Sequence, residues 1–144
     1  MQQFIPYLSF NGNCKEAMQF YERLLGGKIK AMMRFADTPM GADMPRGSAQ
    51  RIMHACLILP DDSYLYAGDS PEHIPYQGQI GVAITMAYDS VAEAERVFKG
   101  LSEGGQVTMP LAPTFWAKTF GMVTDRFGTC WAINGEQLPV DKVA

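Results

Sequence analysis

Apolar positions along the chain change period several times, and the changes mark out its elements. Phe4–Phe10 is short, apolar and aromatic and stops at Asn11-Gly12, a turn signal, so it predicts a first strand. Asn13 is placed to cap a following helix, in which Ala17, Phe20, Tyr21, Leu24 and Leu25 recur at helical spacing before Gly26-Gly27 ends it. Lys28–Phe35 returns to strand alternation, with Ile29, Ala31 and Met33 on one face. Residues 36–49 (ADTPMGADMPRGSA) show no period and predict a long loop, functional or mobile. Arg51–Leu59 and Ser63–Gly68 read as two strands joined by Pro60-Asp61-Asp62.

The same order then repeats. Ser70–Gly78 is dense in breakers and reads as a linker. After it come a strand at Gln79–Tyr88, a helix capped by Asp89 or Ser90 and running to about Ser102, and a strand at Gln106–Leu111. Pro113–Val123 and Thr129–Asn134 are two further strands around Asp125-Arg126-Phe127-Gly128, and the tail after Gly135 reads as loosely ordered. Glu16-Ala17 falls on Glu93-Ala94, Tyr21 on Phe98 and Leu24 on Leu101, all at an offset of 77 residues. Gly26-Gly27 falls on Gly104-Gly105 at an offset of 78. A repeat at this spacing argues for two copies of one β-α-β-β-β module. We place the modules at residues 1–69 and 79–135, joined by a linker at 70–78. The fold class is therefore α+β, with eight strands and two helices. One sheet with a helix on one face leaves the other face to bury. Two such sheets can curl into a shared eight-stranded cup, and exposed edges and a concave face lead us to expect a homodimer.

Composition narrows the partners. The chain has 144 residues, is 47% hydrophobic and carries a net charge of −3. That length suits one globular domain, here a single domain of two modules. No basic run offers a footprint for a phosphate backbone, so nucleic acid is not expected as a partner. No apolar run is long enough to cross a bilayer, and the N-terminus lacks the features of a secretory signal, so neither membrane association nor export is expected. Three widely spaced cysteines, Cys14, Cys56 and Cys130, fit idle thiols in a reducing cytoplasm.

Two strings, FNGNCKEAMQFYERLLGG at residues 10–27 and TFWAKTFGMVTDRFGTCWAIN at residues 114–134, resemble the PhnB-like branch of the glyoxalase/bleomycin-resistance (vicinal oxygen chelate) superfamily. The resemblance covers nearly the whole chain and implies that superfamily's fold, usually as a dimer. Most members of the branch have no assigned reaction. Some carry a demethylubiquinone methyltransferase label, but no glycine-rich loop leads from a strand into a helix here as a nucleotide-type cofactor would want. The resemblance also implies positions where the superfamily's enzymes hold a divalent metal through His and Glu, on the first and last strands of each module. These fall at Pro6 or Tyr7, Tyr66 or Ala67, Val82 or Ala83, and Ala132. None is His, Asp or Glu, so no metal and no other cofactor is expected, and a metal would need a rearranged ligand set.

Only two histidines are available for chemistry. His54, in strand Arg51–Leu59, is the candidate acid/base residue, since imidazole titrates near neutral pH; the plain alternative is a strand histidine making an ordinary hydrogen bond. His73 lies in the linker. Tyr7, Phe35, His54, Trp116, Phe120 and Trp131 are the candidate ligand-pocket residues, because pockets are mostly apolar with a few polar anchors. Thr114, Lys118 and Thr119 could supply anchors, and the aromatic residues could equally fill the core or a dimer seam. In the long loop, Met40 and Met44 suit an adaptable apolar contact, and Arg34 or Arg46 could meet an anionic group. Asp125 and the Asp61-Asp62 pair read as turn residues.

Two functional readings follow. The first is a small-molecule-binding protein without the superfamily's metal ligands. The alternative is a metal-dependent or His54-dependent enzyme of lyase, isomerase or dioxygenase type. A third possibility is a cup filled by its own side chains, with dimerisation as the sole activity.

Overall fold

Among residues 2–139, which the computed structural model describes, eight strands form two four-stranded sheets and the chain divides into two compact units after Ile80. The first unit contains β1 (Tyr7–Phe10), α1 (Cys14–Leu25), β2 (Lys28–Arg34), the short α2 (Arg46–Ala49), β3 (Ile52–Ile58) and β4 (Tyr64–Asp69). The second contains β5 (Ile84–Tyr88), α3 (Val91–Ser102), β6 (Gln106–Ala112), β7 (Ala117–Thr124) and β8 (Cys130–Gln137). The strand orders are β1-β4-β3-β2 and β5-β8-β7-β6, one pattern used twice. In each sheet the first strand pairs parallel to the last and the remaining pairs are antiparallel. The fold is α+β.

Each long helix covers one face of its own sheet. Cys14, Ala17, Met18, Tyr21 and Leu25 are the buried positions of α1; Ala94, Val97, Phe98 and Leu101 are those of α3. Phe20 and Leu24, expected on the buried face of α1, are only half-buried, and Met18 takes the inward place. Beneath α1 lie Ala55 and Leu57 of β3, paired with Ala67 and Leu65 of β4, all four buried. Burying each large side chain of this kind contributes about 1.5–3 kcal/mol.

The repeated Gly-Gly has two different jobs, one per residue. Gly26 and Gly104 hold left-handed backbone, φ +74° and +71°, which a side chain would strain. Gly27 and Gly105 lack that twist but lie against strand backbone. A Cβ on Gly27 would sit 2.6 Å from the Ile58 carbonyl oxygen, and one on Gly105 would meet the Thr124 carbonyl oxygen. The step in offset from 77 to 78 also has a cause. Gly26 is itself the C-cap of α1, whereas Glu103 caps α3 and pushes its glycines one residue on.

Several elements differ from expectation. The residues 36–49 are not a structureless loop: 3₁₀ turns at Phe35–Asp37 and Pro39–Gly41, followed by α2, fill most of it. The Asn13 side chain makes no capping bond; Asp69 reaches across from β4 instead, accepting from Gly12 N (2.8 Å) and Cys14 N (3.0 Å). Ser90 does cap α3, accepting from Glu93 N at 3.0 Å. β1, β5 and β7 begin late, at Tyr7, Ile84 and Ala117. β8 continues through Gly135 to Gln137, where a loose tail was expected, and residues 140–144 lie outside the described chain. Among the described residues no helix is long and apolar enough to cross a membrane.

Candidate functional site

The sheet face of the first unit turned away from α1 gathers rings. Strand alternation puts Tyr64 and Tyr66 of β4 on that face, and the register sets Tyr66 beside Tyr7 of β1 and beside Cys56 of β3. His54, two residues before Cys56, shares the face. The Tyr7 and His54 ring centroids are 5.8 Å apart, His54 and Tyr66 5.0 Å with the planes near perpendicular, and Tyr7 and Tyr66 6.4 Å. Tyr64 extends the cluster, 6.1 Å from Tyr66. Tyr7 is 53% exposed, and His54, Tyr64 and Tyr66 are half-buried. The cluster is thus a surface of π-faces edged by hydroxyls and one imidazole. Two of the six expected pocket residues, Tyr7 and His54, meet here. Tyr64 and Tyr66 were missed as pocket residues, although their alternation around Leu65 was a readable signal.

Local backbone explains why Tyr7 lies flat. Its hydroxyl donates to the Met53 carbonyl at 3.2 Å and passes over Gly68. A Cβ on Gly68 would stand 2.8 Å from that hydroxyl and 2.7 Å from the Met53 carbonyl oxygen, a backbone atom that cannot swing aside. Gly68→Ala is expected to cost about 1–3 kcal/mol and to lift the Tyr7 ring from the cluster. Thermal unfolding and a crystal structure of the variant would check both; an unchanged melting point with Tyr7 in place would contradict the reading. Burial, with a smaller contribution from Cys14, raises the Tyr7 pKa, so the phenol stays protonated and acts as a donor. Burial likewise raises the Cys56 thiol pKa, against a smaller lowering by Lys30, which keeps it a poor nucleophile.

The second unit carries a separate aromatic group. Trp116 donates its indole N–H to Asn134 Oδ1 at 3.0 Å and stands edge-on to Phe120 at 5.1 Å. Phe115, 73% exposed, stacks edge-on to Trp116 at 4.9 Å. Trp131, expected alongside them, is fully buried, and its indole N–H donates to Asp125 Oδ2 at 2.9 Å. The suggested polar anchors have other partners. Thr114 accepts from Trp116 N and Ala117 N, Lys118 is paired with Glu136 at 2.8 Å, and Thr119 is buried. That ion pair also lowers the Glu136 carboxyl pKa.

Phe35 and His73 sit elsewhere, lining a cavity beneath residues 40–48 that shares no lining residue with the ring cluster. Arg34 is committed: it forms an ion pair with Asp37 at 2.7 Å and donates to Gln50 at 2.7 Å. Its hydrogen bonds bring the Asp37 carboxyl down to about 2.

The positions that the superfamily's metal would use can now be read from register. Three residues back from the end of β1 is Tyr7, opposite Tyr66; three back from the end of β5 is Thr85, opposite Ala132. Thr85, rather than Val82 or Ala83, is therefore the counterpart of Tyr7, because β5 starts only at Ile84. Neither pair, Tyr7 with Tyr66 in the first unit or Thr85 with Ala132 in the second, suits a divalent ion, which prefers imidazole and carboxylate. Among the described residues no group of three or more His, Cys, Asp or Glu converges.

Comparison with known proteins agrees with this geometry. Residues 2–134 match the family described as 3-demethylubiquinone-9 3-methyltransferase. Protein YjdN of Escherichia coli (strain K12) is 34% identical over 140 aligned residues, covering 90% of this chain and 92% of that protein. The crystal structure of protein PA1353 from Pseudomonas aeruginosa superposes with a TM-score of 0.87 at 48% identity, covering 94% of this chain and 98% of that one. The PhnB protein from Bacillus cereus gives 0.77 at 24% identity, over 93% of this chain and 99% of that one. A glyoxylase/bleomycin resistance protein/dioxygenase domain from Frankia sp. EAN1pec, 11% identical over 94% and 98% of the two chains, shares the fold at a TM-score of 0.66. With its repeated β-α-β-β-β sheets, the chain shares the fold of the glyoxylase/bleomycin resistance protein/dioxygenase domain, and with a match along nearly all its length it belongs to the 3-demethylubiquinone-9 3-methyltransferase family.

Proposed function

We propose that the protein binds an aromatic small molecule on the Tyr7–His54–Tyr66 face, as a binding protein without the superfamily's metal chemistry. The observation that carries this reading is the three-ring cluster itself, partly exposed and edged by polar atoms, at positions where a metal enzyme would need imidazole or carboxylate. Aromatic pairs contribute about 0.5–1.5 kcal/mol beyond the area they bury, so the face favours a flat ring over an aliphatic chain. The family's methyltransferase name finds less support. A nucleoside-type methyl donor would be held at a strand-to-helix junction, and both junctions are closed by the chain's own groups. Asp69 takes the amides at Gly12 and Cys14, and Ser90 and Glu136 take those at Glu93 and Val91.

One observation favours a second reading. His54 is partly exposed on the ring-bearing face, where a bound molecule would reach its imidazole, so His54-dependent catalysis of lyase or isomerase type is the alternative. We further propose a homodimer in the cytoplasm, with neither nucleic acid nor membrane as partner. Exposed Phe4, Ile80 and Phe115 support association, and the three free cysteines support a reducing compartment.

The test is titration with 1-naphthol, followed by calorimetry, on wild type and Tyr66→Ala. Removing the ring is expected to weaken binding about tenfold. Unchanged affinity would remove the ring cluster from the reading. Stoichiometric metal in protein purified without a metal-affinity tag, lost on His54→Ala, would favour the enzyme.

A further inference from the structure

The segment between β2 and β3 folds over a cavity of about 600 Å³, within the range of small-molecule sites. Phe35, buried at 5% exposure, forms part of its wall, together with Met40, Met44, Pro45 and Pro71. Unbranched thioethers, Met40 on a short 3₁₀ turn and Met44 in the bend before α2, let such a wall adjust to an apolar body. The charged groups lining it are Asp43 and Glu72, with His73 beside them, and no Lys or Arg is included.

Glu72 is held in place. Ser48, itself buried, donates its hydroxyl to Glu72 Oε2 at 2.7 Å. Arg51 approaches Oε1 at 3.5 Å, but its Nη1 is spent on the Ser70 carbonyl at 2.7 Å and on Asn11 Oδ1 at 3.1 Å. Of the other nearby cations in sequence, Arg34 is taken by Asp37, and Arg46, at the start of α2, is exposed and does not line the cavity. An apolar wall with two carboxylates, only one of them approached by a cation (Arg51 at 3.5 Å), selects for positive charge as well as for bulk.

We propose that this cavity binds a primary amine carried on an apolar body, with the ammonium at Asp43 and Glu72 and the body against Met40, Met44 and Phe35. The site is independent of the ring cluster and would stand if aromatic binding there failed.

Three probes with one tail and three charges test it: octylamine, octanol and octanoate, each below its aggregation threshold. Protein labelled with ¹³C at methionine methyls reports the place of binding, with signals assigned by single Met→Leu variants. Octylamine is expected to move the Met40 and Met44 methyls and to bind at least about fivefold more tightly than octanoate, the effect of two partly exposed charge contacts. In the double variant Asp43→Asn, Glu72→Gln, octylamine should fall to the affinity of octanol while the methyl shifts persist. Three outcomes would overturn the proposal: octanoate binding as tightly as octylamine, probe-induced shifts at Met33 on the ring-bearing sheet in place of Met40 and Met44, or no shift with any probe at its solubility limit.

Discussion

Replacing Asp125 with alanine is expected to lower the unfolding free energy by about 3–5 kcal/mol, the largest single effect in the second unit. Asp125 is 4% exposed and sits in the turn between β7 and β8. Its Oδ1 accepts from Phe127 N at 2.9 Å and Thr129 N at 3.0 Å, and its Oδ2 accepts from the Trp131 indole at 2.9 Å. Alanine would strand three buried donors, each costing about 1–3 kcal/mol, and water entering the gap would recover part of that. The loss corresponds to roughly 10–15 °C in melting temperature. Both tryptophans lie in this unit, so urea unfolding followed by their fluorescence reads it directly. Asp125→Asn keeps one acceptor and should cost less than half as much. A loss below about 1 kcal/mol for the alanine variant would mean that the turn holds without the carboxylate.

Asp69→Ala is expected to cost about 2–4 kcal/mol in the first unit, through a different set of partners. Asp69, 6% exposed at the end of β4, accepts from Gly12 N and Cys14 N at the start of α1, and from Ile52 N of β3 at 2.9 Å. All three donors are backbone amides, so one carboxylate ties the helix start to two strands. Its negative charge also stands at the positive end of the helix, a placement that stabilises by about 0.3–1 kcal/mol or more where partly buried. Hydrogen exchange would show the effect locally, with faster exchange at Cys14 and Ile52 than at residues of the second unit. Equal acceleration across both units, or none, would contradict this assignment.

Asp69 and Asp125 also show where sequence reading stops. Asp125 was legible as a turn residue because Asp-Arg-Phe-Gly carries turn chemistry in its own four letters. Its bond to Trp131 was not, because nothing local separates an aromatic ring that lines a cleft from one that fills a core. For α1, Asn13, the nearest residue of capping type, was assigned the cap. The capping carboxylate comes instead from 55 residues away, and only sheet pairing brings it there. The ring cluster divides in the same way. His54 was singled out for its chemistry, while Tyr64 and Tyr66 became part of a site only when β4 was registered against β1 and β3.

What the sequence determined by itself was whatever depends on near neighbours. The two long helices, α1 and α3, followed from apolar spacing, their ends from Gly26 and Gly104, and the doubling of the module from a repeated string. These are local preferences of the backbone, and they act the same way in either unit. The tertiary structure alone decided which aromatic rings meet, which carboxylates are used up inside the protein, and which remain at the rim of a cavity. Those outcomes depend on strand register and on contacts across dozens of residues. A one-residue change of register would turn each strand's side chains to the opposite face.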